Sequence, residues 1–240
     1  MKKVIHYCWF GGKPKPKVVQ KCMKSWAKFC SDYEIIEWNE SNFDVHCCQY
    51  VEEAYNAKKW AFVSDYARFW ILYHYGGIYL DTDVELLKPL EDLPDAFVGF
   101  ETKTTVASGL IRSALKGDEL CEKMLQSYHE DTFANEKGEL NLKTVCDRET
   151  EILEKLGLKR NGELQTVKGT TVFPVEYFCP IDIKTRELKI TENTYSIHHY
   201  QASWEKRSNR LRGKIYFFLH RVFGHNFAEK VKKVFGHKKK

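Results

Sequence analysis

The chain has no run of about 18 consecutive apolar residues, so nothing in it reads as a membrane span. Its eight cysteines contain no C-x-x-C pair, so no zinc spacing appears. There is no internal repeat, no low-complexity tract and no clear linker, which excludes solenoids and tethered modules. Charge of one sign is not abundant either. Lys and Arg number 38 against 33 Asp and Glu, a net +5, and most of that excess lies at the C-terminus. Such a balance does not by itself argue for nucleic acid, and no nucleic-acid partner is expected. The opening Met1-Lys2-Lys3-Val4-Ile5-His6 is too polar, and its apolar run too short, for a secretory signal. Scattered cysteines among core-like neighbours, with Cys47-Cys48 adjacent, then predict reduced thiols in a cytosolic protein.

What is present is a foldable composition. Hydrophobic residues make up 43% of the 240 and aromatics 14%, which excludes a disordered chain. Length and pattern predict one α/β domain with a sizeable core.

The chain turns on residues 60–85, WAFVSDYARFWILYHYGGIYLDTDVE. Trp60, Val63, Ala67, Trp70, Ile71 and His74 follow helical spacing, and no Pro or Gly interrupts them before Gly76-Gly77. Ile78, Tyr79, Leu80, Thr82 and Val84 then suit a strand, which carries Asp81 and Asp83. Residues two apart in a strand share a face, so the two carboxylates repel unless a cation neutralises them. The simplest occupant is a hard divalent ion, Mg²⁺ or Mn²⁺. On the helix, Asp65 and Arg68 stand three apart on one face. That spacing fits an ordinary salt bridge; it also fits an Arg poised for phosphate and an Asp poised for a ribose or base.

SDYARFWILYHYGGIYLDTDVE resembles the DXD region of the sugar-binding glycosyltransferases of family 32. That group includes the yeast initiating mannosyltransferase, the α-1,4-galactosyltransferases and bacterial capsule transferases. The resemblance spans about residues 3–204 and is densest at 4–12, 64–87 and 198–204. It implies a GT-A fold with a mixed central sheet and flanking helices, a sugar-nucleotide donor, a divalent metal (Mn²⁺ or Mg²⁺) and retention at the anomeric carbon. It also implies that IHYCWFGG lines the nucleotide pocket, with His6 and Trp9 as donor contacts; an aromatic core role competes for Trp9. In relatives the stretch from 106 to 113 borders the donor sugar and acceptor, which makes Ser108 and, just before it, Glu101 contacts there. A residue five before a Trp completes the metal shell in the family, and the Trp packs on the diphosphate. Position by position these are His199 and Trp204, with His198 the rival ligand. Asp83 is the more direct metal ligand and Asp81 is shared between metal and ribose. Asp81, Asp83 and Arg68 are the residues expected to carry catalysis.

The other predicted elements are strands at 3–10, 33–38, 96–101 and 170–178, and helices at 18–29, 41–57, 117–130 and 141–156. Residues 1–204 form the expected catalytic domain. Residues 205–240 form a basic amphipathic segment that suits a membrane surface as well as it suits docking on its own domain. The expected activity is that of a hexosyltransferase: a sugar moves from a nucleoside diphosphate, UDP favoured, to a saccharide hydroxyl. The acceptor is free or lipid-linked, and the setting is capsular or other surface polysaccharide synthesis at the inner membrane face. The animal and fungal relatives carry an N-terminal Golgi anchor and this chain does not begin with one, which favours a bacterial-type cytosolic enzyme. Two other classes compete: a haloacid-dehalogenase-type phosphohydrolase with Asp81 as nucleophile, and a non-catalytic sugar- or membrane-binding protein.

Overall fold

Val4–Cys8 form strand β1, five successive buried residues, as expected of a strand covered on both faces. A computed structural model describes residues 2–106, 111–135, 137–183 and 185–200. Helix α1 (Lys17–Phe29) follows, and strand β2 (Glu34–Trp38) pairs in parallel with β1. Helices α2 (Gln49–Asn56) and α3 (Trp60–Tyr75) lead to strand β3 (Gly77–Leu80), parallel to β1 on its other side. After these come β4 (Val84–Leu86), β5 (Phe97–Gly99), β6 (Ile111–Ala114), α4 (Glu119–His129) and α5 (Val145–Lys155). The rest of the order is β7 (Gln165–Val167), β8 (Thr170–Phe173), α6 (Val175–Phe178) and β9 (Ser196–His198).

Seven strands make one mixed sheet in the order β2-β1-β3-β6-β5-β8-β7, and β4 and β9 pair apart from it. The expected mixed central sheet with flanking helices is therefore present. Side chains alternate across the sheet. Tyr79 joins the apolar cluster with α2, α3 and α4, whereas Ile5, Tyr7, Ile78 and Leu80 join one with Cys22 and Trp26 of α1. The parallel strands β2, β1 and β3 all end at the same edge, which is where open α/β sheets place ligands.

Helix α3 buries Phe62, Val63, Tyr66, Ala67, Arg68, Phe69, Ile71 and Leu72, so it is covered on almost every side. It ends where Gly76, at φ +64°, donates its N–H to Leu72 O at 2.8 Å. Gly77 then turns at φ +100°, and a Cβ there would lie 2.9 Å from Val4 O. Only glycine allows β3 to start so close to β1.

Three predicted elements change, and one strand was not predicted. The strand expected to hold Asp81 and Asp83 stops at Leu80: Val84 N–H donates to Asp81 O at 3.0 Å, closing a turn over 81–84. The two carboxylates are therefore placed by a turn and not by strand alternation. The helix expected from 41 begins only at Gln49. Before it, side-chain acceptors compete for the backbone: Ser41 N–H donates to Asn39 Oδ1 and His46 N–H to Asp44 Oδ1, each at 2.9 Å. The strand expected over 170–178 breaks at Pro174 into β8 and α6. Strand β7 has too little apolar alternation to be predicted.

His6, expected at the nucleotide pocket, is a core residue at 1% exposure. Trp38 Nε1–H donates to its Nδ1 at 3.1 Å, which leaves Nε2–H to donate to Gly76 O at 3.0 Å. With both ring nitrogens engaged it has no edge left for a donor. Burial pulls its pKa down to about 4, against the pull of the Gly76 bond. The unfolded chain protonates this His near 6.5 while the folded chain resists. Stability is therefore full above pH 6.5 and falls as pH drops toward 4, by about 3 kcal/mol in all. Denaturant titrations of the native chain and His6→Gln at pH 7 and pH 4.5 should show a steeper acid loss in the native chain. Equal losses would show that His6 protonates as easily folded as unfolded.

The contact pattern divides the chain into Met1–Pro180 with Ile190–His199, and Ile181–Lys189 with Tyr200–Lys240. Within the described part of the second unit, Ile181 bridges Leu188 and the Arg186 guanidinium lies 5.1 Å from the centre of the Tyr200 ring. The segment 205–240 and the expected boundary at 204 lie outside the described residues.

Candidate active site

The Asp81–Val84 turn sits at the carboxyl end of β3, the middle strand of the mixed sheet's parallel and antiparallel halves. Helix α3 runs into β3 through the two glycines and brings Arg68 back over it. Arg68 Nη2 lies 3.0 Å from Asp65 Oδ1 and 3.2 Å from Asp81 Oδ1. The guanidinium carbon is 5.0 Å from the centre of the Tyr79 ring, and Tyr79 OH donates to Asp81 Oδ1 at 3.2 Å. Arg68 is 3% exposed, and its Nε and Nη1 have no hydrogen-bond partner among the described residues. The structure brings Asp65, Arg68 and Asp81 into one contiguous ion-pair group. The pair is no surface salt bridge.

Burial is the main influence on these carboxyls. It raises Asp65 to about 6 against the attraction of Arg68. It also raises Asp81, with Arg68 and His198 opposing and Asp83 adding. Tyr79 was not singled out from the sequence. Its position two before Asp81, within reach of that carboxyl, is the signal that could have found it.

The choice between the two histidines is made by strand register. In the antiparallel β4–β9 pair, Val84 lies opposite His198 and Leu86 opposite Ser196. Neighbouring side chains leave a strand on opposite faces. His198 Nε2 comes 3.3 Å from Asp83 Oδ1. His199 Nε2 instead meets Glu85 Oε2 at 2.8 Å, and Glu85 also pairs with Lys21 at 2.7 Å. Thus the residue beside the carboxylates is His198, and His199, expected as the metal ligand, is directed at Glu85. Glu101 adds a further acidic group: burial raises its pKa, His198 opposes that, and its carboxyl contacts the Cys146 thiol.

Trp9 is half-buried at the end of β1, with Nε1–H donating to Lys13 O at 2.6 Å. It lines a cavity of ≈ 390 Å³ together with Gly12, Lys13, Lys15, Glu37 and Glu40. That cavity lies past the ends of β1 and β2, on the same sheet edge as Asp81. Trp9 thus packs against the core and also lines the cavity. Ser108 and Trp204 lie outside the described residues.

The donor set fits a hard divalent cation. A carboxylate and an imidazole converge at Asp83 and His198, and His198 lies close enough to Asp81 to oppose the rise in the Asp81 pKa. Among the described residues no three such side chains are gathered into a ready-made cage. Mg²⁺ and Mn²⁺ need none, since they commonly take one or two protein ligands and complete the shell with substrate phosphates and water.

Residues 16–98 match the family described as "Glycosyltransferase sugar-binding region containing DXD motif". Inositol phosphoceramide mannosyltransferase 3 of Schizosaccharomyces pombe is 32% identical over 99 residues, 38% of this chain and 26% of that protein. Lactosylceramide 4-alpha-galactosyltransferase of Homo sapiens is 25% identical over 164 residues, 62% of this chain and 43% of that one. The chain thus spans less than half the length of these relatives. Among solved structures, a glycosyltransferase involved in glycosylation of the major capsid of PBCV-1 aligns over 86% of this chain and 96% of its own, at 13% identity and a TM-score of 0.49. The matched region includes Asp65, Arg68, Asp81 and Asp83, so these four residues lie in a stretch similar to the DXD-containing sugar-binding region of glycosyltransferases.

Proposed function

We propose that the chain is a metal-dependent, retaining glycosyltransferase that moves a sugar from a nucleoside diphosphate, UDP favoured, to a saccharide hydroxyl. The observation that carries this is the convergence of Asp83 and His198 beside the Asp81–Arg68–Asp65 group, at the edge where the Trp9 cavity also opens. The bond that breaks joins the anomeric carbon to phosphate oxygen, and negative charge grows on the departing diphosphate. A divalent ion bound there neutralises that charge. Asp83 and His198 would supply its protein ligands, and Asp81 would orient the ribose while Arg68 and Tyr79 hold the Asp81 carboxyl. Among the described residues Arg68 Nε and Nη1 have no protein partner, which leaves a donor pair suited to a phosphate or sugar oxygen. Charge stabilised as it develops is where the rate gain lies. The anomeric carbon becomes oxocarbenium-like, and on a front-face route the leaving phosphate oxygen accepts the acceptor's proton. No protein base or nucleophile is then required.

The two curated relatives are named for ceramide glycolipids. A lipid-linked saccharide acceptor fits that pattern, and so does peripheral membrane contact through 205–240 in the synthesis of capsule or another surface polysaccharide. No described helix is long and apolar enough to cross a membrane.

Titration calorimetry with UDP and GDP, each with and without Mn²⁺, tests the reading, together with hydrolysis of a panel of sugar nucleotides. Nucleotide binding should appear only with metal, and one donor should be hydrolysed fastest. Undiminished binding and turnover in excess chelator would refute the metal role.

A further inference from the structure

Two histidines stand side by side at the end of β9, and only His198 comes to Asp83. Strands β4 and β9 have three residues each, so few ladder bonds set their pairing. A short strand needs other ties to keep its side chains on the intended faces. Strand β4 has them from α1: Trp26 Nε1–H donates to Val84 O at 2.8 Å, and Leu86 N–H to Ser25 Oγ at 2.9 Å. The start of β9 is tied at α6, where Tyr195 N–H donates to Tyr177 O at 2.7 Å and Ser196 Oγ–H to Phe178 O at 3.2 Å.

The far end of β9 is held through His199, twice. Its N–H donates to Asp83 O at 3.0 Å, and its Nε2–H donates to Glu85 Oε2 at 2.8 Å. Glu85 lies opposite Ile197, so His199 is its diagonal neighbour on the same face, within reach of long side chains. The same Glu85 oxygen accepts from Lys21 Nζ of α1 at 2.7 Å. Glu85 and His199 are partly enclosed, with side chains 16% and 24% exposed, whereas Lys21 is 62% exposed. Directly after His199 the chain turns at Tyr200, φ +47°. Successive side chains leave a strand on opposite faces, so a His199 fixed on Glu85 sends His198 to the other face. There its Nε2 lies 3.3 Å from Asp83 Oδ1.

We propose that Glu85 and His199 are positioning residues, whose hydrogen bond fixes the end of β9 so that His198 faces Asp83. The inference rests on the metal-dependent reading given above and assigns two further residues to that site. An imidazole oriented before the cation arrives binds it without paying for its own ordering. Hydrogen bonds that orient ligands in this way are worth about 10–100-fold in metal affinity.

The test follows Mn²⁺ binding by electron paramagnetic resonance in the presence of UDP. Glu85→Ala and His199→Ala should each weaken it by on the order of 10-fold. The double variant should lose no more than either single one, because all three lack the same bond. Glu85→Gln keeps an acceptor oxygen and should bind close to the native chain. Lys21→Ala, which removes only an exposed partner, should also bind normally. Native affinity in folded Glu85→Ala would overturn the proposal, and so would a much deeper loss in His199→Ala than in Glu85→Ala, which would make His199 itself a ligand. A metal-free measurement separates this proposal from the functional reading. Nuclear Overhauser contacts between the His198 ring and Asp83 should be present in the native chain and lost in Glu85→Ala; their persistence would overturn the positioning role. If those contacts are lost but the native chain binds no Mn²⁺ with UDP, the metal reading fails and the positioning role stands. Should Glu85→Ala not fold, the same contacts are compared between Glu85→Gln and His199→Ala, and are expected only in the former.

Discussion

Asp83→Asn is expected to lower sugar-nucleotide turnover by about 10²–10³-fold, the loss that follows removal of one electrostatic partner from a developing charge. The amide keeps the shape of the carboxylate but not its charge, so the site proposed for a divalent ion loses an acidic ligand. The fold should be little affected. Asp83 lies at a turn, and that turn is closed by Asp81 O and Val84 N–H, which the substitution leaves alone. The measurement is steady-state donor hydrolysis across a Mn²⁺ titration, with a thermal melt alongside. Recovery of part of the rate at high Mn²⁺ would fit a weakened ligand. Turnover equal to that of the native chain would remove Asp83 from the site.

Arg68→Met should have the largest effect on stability. From the sequence, the Asp65–Arg68 pair reads as a donor-binding feature independent of the fold. Its burial alters that expectation, because Arg68 is the cation between two carboxyl groups in a largely enclosed setting. Removing one partner of such a group leaves uncompensated charge and costs about 3–5 kcal/mol. For a chain of this size that lowers Tm by on the order of 10 °C. Arg68→Lys should fall between, since one ammonium cannot reproduce a planar fork shared by two carboxylates. Adding Asp65→Asn to Arg68→Met should restore part of the loss, because the repulsion it relieves is the cause. An unchanged Tm in Arg68→Met would show that the carboxyls are protonated or solvated without it. Donor affinity should also fall in every Arg68 variant that stays folded.

How much of this was legible depends on whether a local rule governs each residue. Helix α3 and strand β1 follow from periodicity and from the Gly76-Gly77 stop, and both stand within a few residues of their predicted limits. Asp65, Arg68 and Asp81 come together because a helix turn and a helix–strand junction are short-range features. The place of Trp9 beside a cavity follows from its position after β1. His6 did not, because a histidine's two ring nitrogens can be satisfied by groups distant in sequence, here Trp38 and Gly76. The turn over 81–84 was missed because Thr82 and Val84 have strand propensity, and the local bond from Val84 to Asp81 overrides it. The choice of His198 over His199 needs the β4–β9 register, and no short-range pattern carries that.

That register also fixes a moment in the life of the chain. Glu85 and His199 meet across 114 residues of sequence, and His198 reaches Asp83 by the same strand pair. Synthesis at roughly 5–20 residues per second puts the arrival of the histidine strand on the order of ten seconds after the aspartates. Through that interval β1, β2, β3 and α3 can already be formed, with Asp65, Arg68 and Asp81 in place and the imidazole missing. A ribosome-bound chain halted near residue 190 would therefore present the carboxylates and the guanidinium without the side chain that completes them. On the proposed metal role, its affinity for Mn²⁺ should rise in a step when β9 clears the exit tunnel.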